Sequence, residues 1–249
     1  MKDVIDIHTH SLASGHAYST IHEMANAAIK NGIEILGITE HGPNMLGSCK
    51  EFYFKSLRFI ERDAFPPLKL MLGAELNIMD FKGSVDLSQA IMETLDILIA
   101  SLHPKCITAG NMEENTAAYI NTMKTCGVNV IGHPDDGNYP VDYKKLANVA
   151  ADMNVILEVN NASFIPTTYR INTESNCKEM LKWCKEYGTN VIISSDAHFE
   201  TLVGRHDLAV KLLEDIEFPQ ELVLNSDPEN FFAMLKKRKK AYSDRKSVV

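Results

Sequence analysis

Short runs of apolar, often β-branched residues recur along this chain, and amphipathic stretches separate them. The runs at 4–7, 33–38, 68–74, 97–101, 129–131, 155–159 and 190–193 predict seven strands. Several are almost continuously hydrophobic, as parallel strands covered on both faces must be. Helices are expected between them, over 20–31, 49–62, 86–95, 112–126, 143–153 and 173–187, with two more around 207–215 and 228–240. Thr173 is the expected N-cap of the helix it opens. Gly32, Gly127 and Gly188 follow three helix ends, where a left-handed stop is wanted. Strand–helix alternation repeated about seven times predicts an α/β fold, one closed or nearly closed parallel barrel of the TIM-barrel kind. A doubly wound open sheet is the alternative, but no glycine-rich phosphate loop follows the first strand. No low-complexity linker or internal repeat divides the chain, so one domain over residues 1–249 is expected.

Composition changes little in this picture. The 45% hydrophobic and 23% charged content over 249 residues is that of an ordinary globular chain able to bury a large core. A formal net charge of −8 disfavours broad binding to DNA or anionic membranes. It leaves an anionic small molecule open, because bound cations would reverse the field locally. The basic run Lys236-Lys237-Arg238-Lys239-Lys240 reads as a solvated helix end. Cys49, Cys106, Cys126, Cys177 and Cys184 form no C-x-x-C pair, which fits structural thiols in a reducing compartment. The first motif begins at Asp3, leaving no room for a signal peptide, and no apolar run is long enough to span a membrane. A cytoplasmic protein without a membrane partner is therefore expected; self-association into a homo-oligomer stays open.

The histidines change the picture most. In a parallel barrel, functional side chains gather on the loops after the strands. His8 and His10 end the first predicted strand and His16 follows; His41, His103, His133 and His198 follow the second, fourth, fifth and seventh. Glu75 ends the third and Asp196 the seventh. Only His22 and His206 fall within or at the start of helices. One strand-end histidine is usually a loop residue; seven at one mouth argue for a metal cluster. His8-Thr9-His10 sets two imidazoles on one side of a strand, about 6.6 Å apart along it. Zinc takes about four ligands with room for water. Nine candidates are too many for one ion, nearly sufficient for two, and comfortable for three if a carboxylate such as Glu75 bridges. The imidazole–carboxylate mix suits zinc, manganese or iron rather than calcium.

These residues carry a resemblance. Asp6-Ile7-His8-Thr9-His10, His16, Thr39-Glu40-His41, Gly73-Ala74-Glu75, Ser101-Leu102-His103, Gly132-His133-Pro134 and Ser195-Asp196-Ala197-His198 together resemble the PHP (polymerase and histidinol phosphatase) superfamily. Gly15-His16-Ala17-Tyr18-Ser19 and Glu158-Val159-Asn160-Asn161-Ala162-Ser163 are similar to its small stand-alone YcdX-type branch. The resemblance implies a distorted (β/α)7 barrel and a trinuclear centre at the C-terminal mouth of the strands. It implies that His8, His10, Glu75 and Asp196 hold one metal and that Glu75 bridges to a second, completed by His103 and His133. It gives the third metal to His16, His41 and His198.

Such a centre predicts a metal-dependent phosphoester hydrolase with a metal-bound hydroxide as nucleophile, most simply a phosphatase acting on small phosphorylated substrates. The alternatives are a phosphodiesterase or exonuclease acting on nucleotides or nucleic acid, and a non-catalytic metal-binding module. An amidohydrolase would usually carry a carboxylated lysine where this chain has Glu75. Around the ligands, Asp6 is expected to orient an imidazole and Arg205 to meet phosphate. Glu40 and Asp135 are candidates to take the leaving-group proton or orient water. Asn160 and Asn161, ending the sixth strand, are candidates to bond substrate.

Overall fold

The computed structural model describes residues 3–246. Seven strands form one parallel sheet in chain order: β1 (Ile5–Thr9), β2 (Ile35–His41), β3 (Lys69–Asn77), β4 (Ile97–Ser101), β5 (Val130–Ile131), β6 (Ile156–Asn160) and β7 (Val191–Ser194). The helices are α1 (Ile21–Lys30), α2 (Glu51–Ser56), α3 (Gln89–Met92), α4 (Met112–Thr125), α5 (Tyr143–Met153), α6 (Thr173–Tyr187), α7 (Asp207–Asp215) and α8 (Pro228–Lys246). The fold is the distorted (β/α)7 barrel expected. Among the described residues, no helix is long and apolar enough to cross a membrane, and the five cysteines are free thiols.

Period-two alternation explains how one sheet makes both a core and a site. Ile35, Met71, Ile97, Ile99, Val130, Ile156 and Ile192 pack together as an interior apolar cluster, closed below by Phe231 and Met234 of α8. Two residues further along the same faces the rows turn polar: Met71–Gly73–Glu75, Ile99–Ser101, Ile156–Glu158–Asn160, Ile192–Ser194–Asp196. The opposite faces pack on the helices in a second, larger cluster. In β1 the register against β2 shifts between Asp6 and Thr9. Ile5 and Ile7 stay in the interior cluster, and the shift turns His8 and His10 to the mouth, as bulges commonly re-aim side chains.

The barrel closes unevenly. At the mouth, Thr9 bridges Ala197, and the His10 amide donates to the Ala197 carbonyl at 2.8 Å. Lower down, a side chain stands in for a strand. Asn225 Oδ1 accepts from the Ile193 amide at 2.7 Å, while its Nδ2 donates to the carbonyls of Ile5 at 2.9 Å and Ile193 at 2.8 Å. One buried amide thus satisfies both edges of the seam.

Local sequence accounts for most helix ends. Thr20 and Glu23 form a capping box on α1, and Asn111 and Glu114 another on α4. Gly32, Gly127 and Gly188 all have positive φ. Three expectations shift. The N-cap of α6 is Asn172 in the left-handed region, and the Thr173 hydroxyl instead donates to the Ser163 carbonyl at 2.8 Å. The helix expected over 86–95 shrinks to α3, with Ser88 at its N-cap, while the Asp86 carboxylate accepts from the Asn44 and Asn77 amides. The basic run is not wholly solvated. Arg238 is buried and donates to the carbonyls of Val128 at 2.7 Å, Met153 at 3.4 Å and Met123. It caps the carboxyl ends of α4 and α5, where a cation suits the dipoles.

Candidate metal centre

The strand ends deliver all nine expected side chains to one place. Glu75 lies at its middle, fully buried. Its Oε1 is 2.9 Å from His133 Nε2, 3.2 Å from His103 Nε2 and 3.4 Å from His8 Nε2. Its Oε2 is 2.5 Å from His41 Nδ1 and 3.7 Å from His10 Nε2. Asp196 Oδ1 lies 3.3 Å from His10 Nε2, 3.7 Å from His8 Nε2 and 3.6 Å from His198 Nδ1. At the outer edge His16 Nε2 is 3.2 Å from His41 Nε2 and 3.1 Å from His198 Nε2. His22 and His206 stand outside: His22 packs edge-on against the Phe65 ring, and His206 pairs with Asp3 at 2.6 Å.

The donor set fits divalent cations on the geometry alone. His8 Nε2, His10 Nε2, His41 Nδ1, Glu75 Oε2 and Asp196 Oδ1 are buried without a hydrogen-bond partner. An orphaned buried polar atom is costly, and here five from four strand ends converge. Three sets of ligand atoms lie mutually within 4.8 Å: His10/His41/His198, His8/His10/Glu75 and His41/Glu75/His103.

The electrostatics agree. Burial opposes ionisation of Glu75, but the imidazoles of His103, His8 and His41 outweigh it and hold its carboxyl well below the usual range. Burial likewise opposes Asp196, which His8, His10, Arg170 and His198 hold well below its usual value. Burial, then crowding by His41 and His198, lowers His10 well below the ordinary imidazole value and His16 to about 4. Both therefore stay neutral at pH 7, as metal ligands must. His8 departs from this: burial lowers it, but Glu158, Glu75 and Asp196 outweigh that and raise it well above. Three buried carboxylates around one imidazole are an excess of negative charge that cations would balance.

A further layer aims the rings. His8 Nδ1 is 2.7 Å from Glu158 Oε1, and Glu158 Oε2 accepts from the His133 amide at 2.7 Å. His103 Nδ1 is 2.7 Å from Asn77 Oδ1. His10 Nδ1 is 3.1 Å from Ser14 Oγ, whose hydroxyl donates to Glu40 Oε2 at 2.6 Å. Each partner holds Nδ1 and leaves Nε2 facing the centre, the arrangement metal-binding histidines use. Two cluster positions also have left-handed backbone, His133 at φ 29° and Asp196 at φ 55°, strain of a kind that gathers at functional sites.

The other expected residues fall unevenly. Asp6 faces Ser195, Gly204 and His206 rather than a clustered imidazole: it accepts from the Ser195 amide at 3.1 Å and the Gly204 amide at 2.8 Å. Glu40 lies behind the cluster, accepting from Ser11, Ser14 and Tyr53. Asp135 is buried, and burial, opposed by Arg170, pushes its carboxyl up to about 7. Asn160 Nδ2 donates to Glu158 at 3.0 Å and to Asp196 at 3.1 Å. Asn161 Oδ1 is occupied by the Leu208 and Ala209 amides, both at 3.0 Å, although the residue lines the cavity. Arg205 sits exposed on the cavity rim. Sequence reasoning gave no role to Arg170, whose guanidinium donates to Asp196 Oδ2 at 2.9 Å and Ser163 Oγ at 3.2 Å, nor to Glu158, Asn77 and Ser14. Glu158 had a visible signal: a carboxylate inside an apolar strand run must be buried and therefore partnered.

A parallel barrel with an imidazole cluster around a central carboxylate at its C-terminal mouth defines a class of metal-dependent hydrolase folds. The chain belongs to the PHP domain family, whose model matches residues 6–164. It is 41% identical over 240 residues to a protein of Clostridium novyi (strain NT) named a probable phosphatase, covering 96% of this chain and 97% of that one. A probable phosphatase of Acetivibrio thermocellus is 41% identical over 239 residues, covering 96% and 98%. The fold is similar to that of histidinol phosphate phosphatase from Lactococcus lactis subsp. lactis, solved with zinc, L-histidinol and phosphate. That match has a TM-score of 0.63 at 19% identity and covers 88% of this chain and 95% of that one.

Proposed function

We propose that this PHP enzyme hydrolyses small phosphate monoesters at a centre for three divalent ions, with zinc as the best-suited metal. The observation that carries the reading is the convergence of five orphaned buried ligand atoms within a nine-residue cluster. His8, His10, Glu75 and Asp196 would hold one ion. Glu75, His103 and His133 would hold a second, and His16, His41 and His198 a third. When bound, such ions bring the pKa of water towards roughly 7 and neutralise phosphoryl oxygens.

The chain's own residues do the positioning. Glu158, Asn77 and Ser14 fix three rings. Arg170 takes one oxygen of Asp196, leaving the other for a metal. The exposed guanidinium of Arg205 meets an incoming phosphate at the rim. The named activity of the relatives supports monoesters over diesters.

Elemental analysis of gently purified protein is expected to give about three divalent ions per chain, given roughly four ligands per ion. Hydrolysis of a monoester in oxygen-18 water is expected to label the released phosphate. About one ion per chain would sink the trinuclear reading. Label in the alcohol would mean carbon–oxygen cleavage, and turnover of diesters or amides alone would move the assignment to another reaction.

A further inference from the structure

We infer that the alcohol portion of the substrate is bulky and apolar, so that the preferred phosphate monoesters are of the arylalkyl kind rather than those of sugars or polyols. The inference rests on the phosphatase reading above and deepens it. A cavity of about 660 Å³ opens from the cluster, with His16, His41, His103, His198 and Asp196 as its inner wall. That volume lies within the range of pockets that enclose drug-sized ligands, roughly 300–1,000 Å³, and a phosphoryl group at the inner wall fills only one end.

Beyond that wall, apolar side chains and polar ones share the lining. Met45, Pro104, Ile165, Tyr169, Leu202 and Leu208 contribute to it. Ile165 and Leu202 are each 37% exposed, and Tyr169 is 60% exposed. They come from two loops, one before α6 and one before α7. An apolar group bound there would remove this surface from water, which is favourable in proportion to the area covered.

Of the polar lining, Thr167 and Asp207 are exposed, while the Ser195 hydroxyl donates to Asp6 and Thr168 Oγ1 accepts from the Arg170 amide. Asp196 and the imidazoles belong to the cluster. Asn161 Oδ1 is committed to α7, and two nitrogens of Arg170 are committed to Asp196 and Ser163. A site that discriminates for hydroxyls needs polar groups built to receive them. Lys105 and Arg205, both exposed on the cavity lining, supply the positive charge that draws in a phosphate dianion.

The test compares ethyl phosphate, 2-phenylethyl phosphate and glycerol 3-phosphate on protein purified with its metals. All three release primary alcohols, so chemical reactivity is closely matched. The expected kcat/KM for 2-phenylethyl phosphate exceeds that for ethyl phosphate by about tenfold or more, the scale of discrimination in apolar pockets, with the gain mainly in KM. Glycerol 3-phosphate should do no better than ethyl phosphate. In the double variant Ile165→Ser with Leu202→Ser, the ratio should fall towards one. Calorimetric titration with 2-phenylethylphosphonate and ethylphosphonate reads binding without turnover, and should show the same preference with a more negative heat-capacity change. Equal kcat/KM and equal phosphonate affinity, or a preference for glycerol 3-phosphate, would overturn the inference and leave the phosphatase reading intact. Absence of turnover on every monoester, with the phosphonate preference retained, would overturn the phosphatase reading and uphold the apolar chamber.

Discussion

Two ends of the same barrel treat buried polar atoms in opposite ways. At the seam and the lower end, Asn225 and Arg238 are buried, and their polar atoms reach backbone carbonyls and amides that no strand or helix serves. At the mouth, buried atoms of His8, His10, His41, Glu75 and Asp196 lack a hydrogen-bond partner. The first pattern completes a fold; the second prepares a site for something the chain does not contain. Burial of a polar residue is thus no guide to function until its partners are counted.

The largest expected break between the two ends is in activity. His103→Gln removes one cluster nitrogen and should reduce turnover to background with the fold retained, checked by circular dichroism beside a rate assay. A near-normal rate would show that the cluster is not the site.

Next is stability. Arg238→Met keeps much of the stem but leaves three carbonyls short of a donor, at an expected cost of about 2–4 kcal/mol for charged hydrogen bonds lost from a buried place. Chemical denaturation reads that loss, while the rate per folded molecule should stay the same. A change in rate with no loss of stability would erase the distinction between the ends.

Read one pH unit at a time, the smallest effect is on the pH dependence of stability. Burial lowers His206, but Asp6 and Asp3 outweigh it and raise it to about 10. Its folded value stands above the unfolded one, near 6.5. Its contribution is therefore fully present below about pH 6.5 and is lost as pH rises through about 10, at up to roughly 1.4 kcal/mol per pH unit between. Denaturation midpoints measured from pH 6.5 to 10 should fall less steeply in His206→Gln. An unchanged slope would mean that His206 is neutral in the fold.

Much of this is legible in the sequence. Apolar runs mark strands because both faces of a parallel sheet are covered, and the ends of those strands share one mouth by topology. That is why His8, His41, His103 and His198 could be grouped from positions alone. The seam could not be read: Asn225 lies in a stretch with no period, and its role appears only when β1 and β7 are brought together. Arg238 was hidden by its neighbours, since four flanking lysines suggest solvent and only the register of α8 turns the third of five cations inward. Arg170 sits on a loop, where sequence spacing carries no direction. Glu158 was the readable omission, a charge amid Ile156, Leu157 and Val159.

The left-handed backbone at Asp196 has a consequence for which amino acids the position can accept. At φ 55° the chain admits glycine, asparagine or aspartate with little penalty and resists most others. The proposed metal centre, for its part, asks for an anionic oxygen. Glutamate satisfies the second demand and not the first; asparagine and glycine satisfy the first and not the second. The two constraints overlap on a single letter of the amino-acid alphabet, so position 196 leaves variation no conservative neighbour to move to.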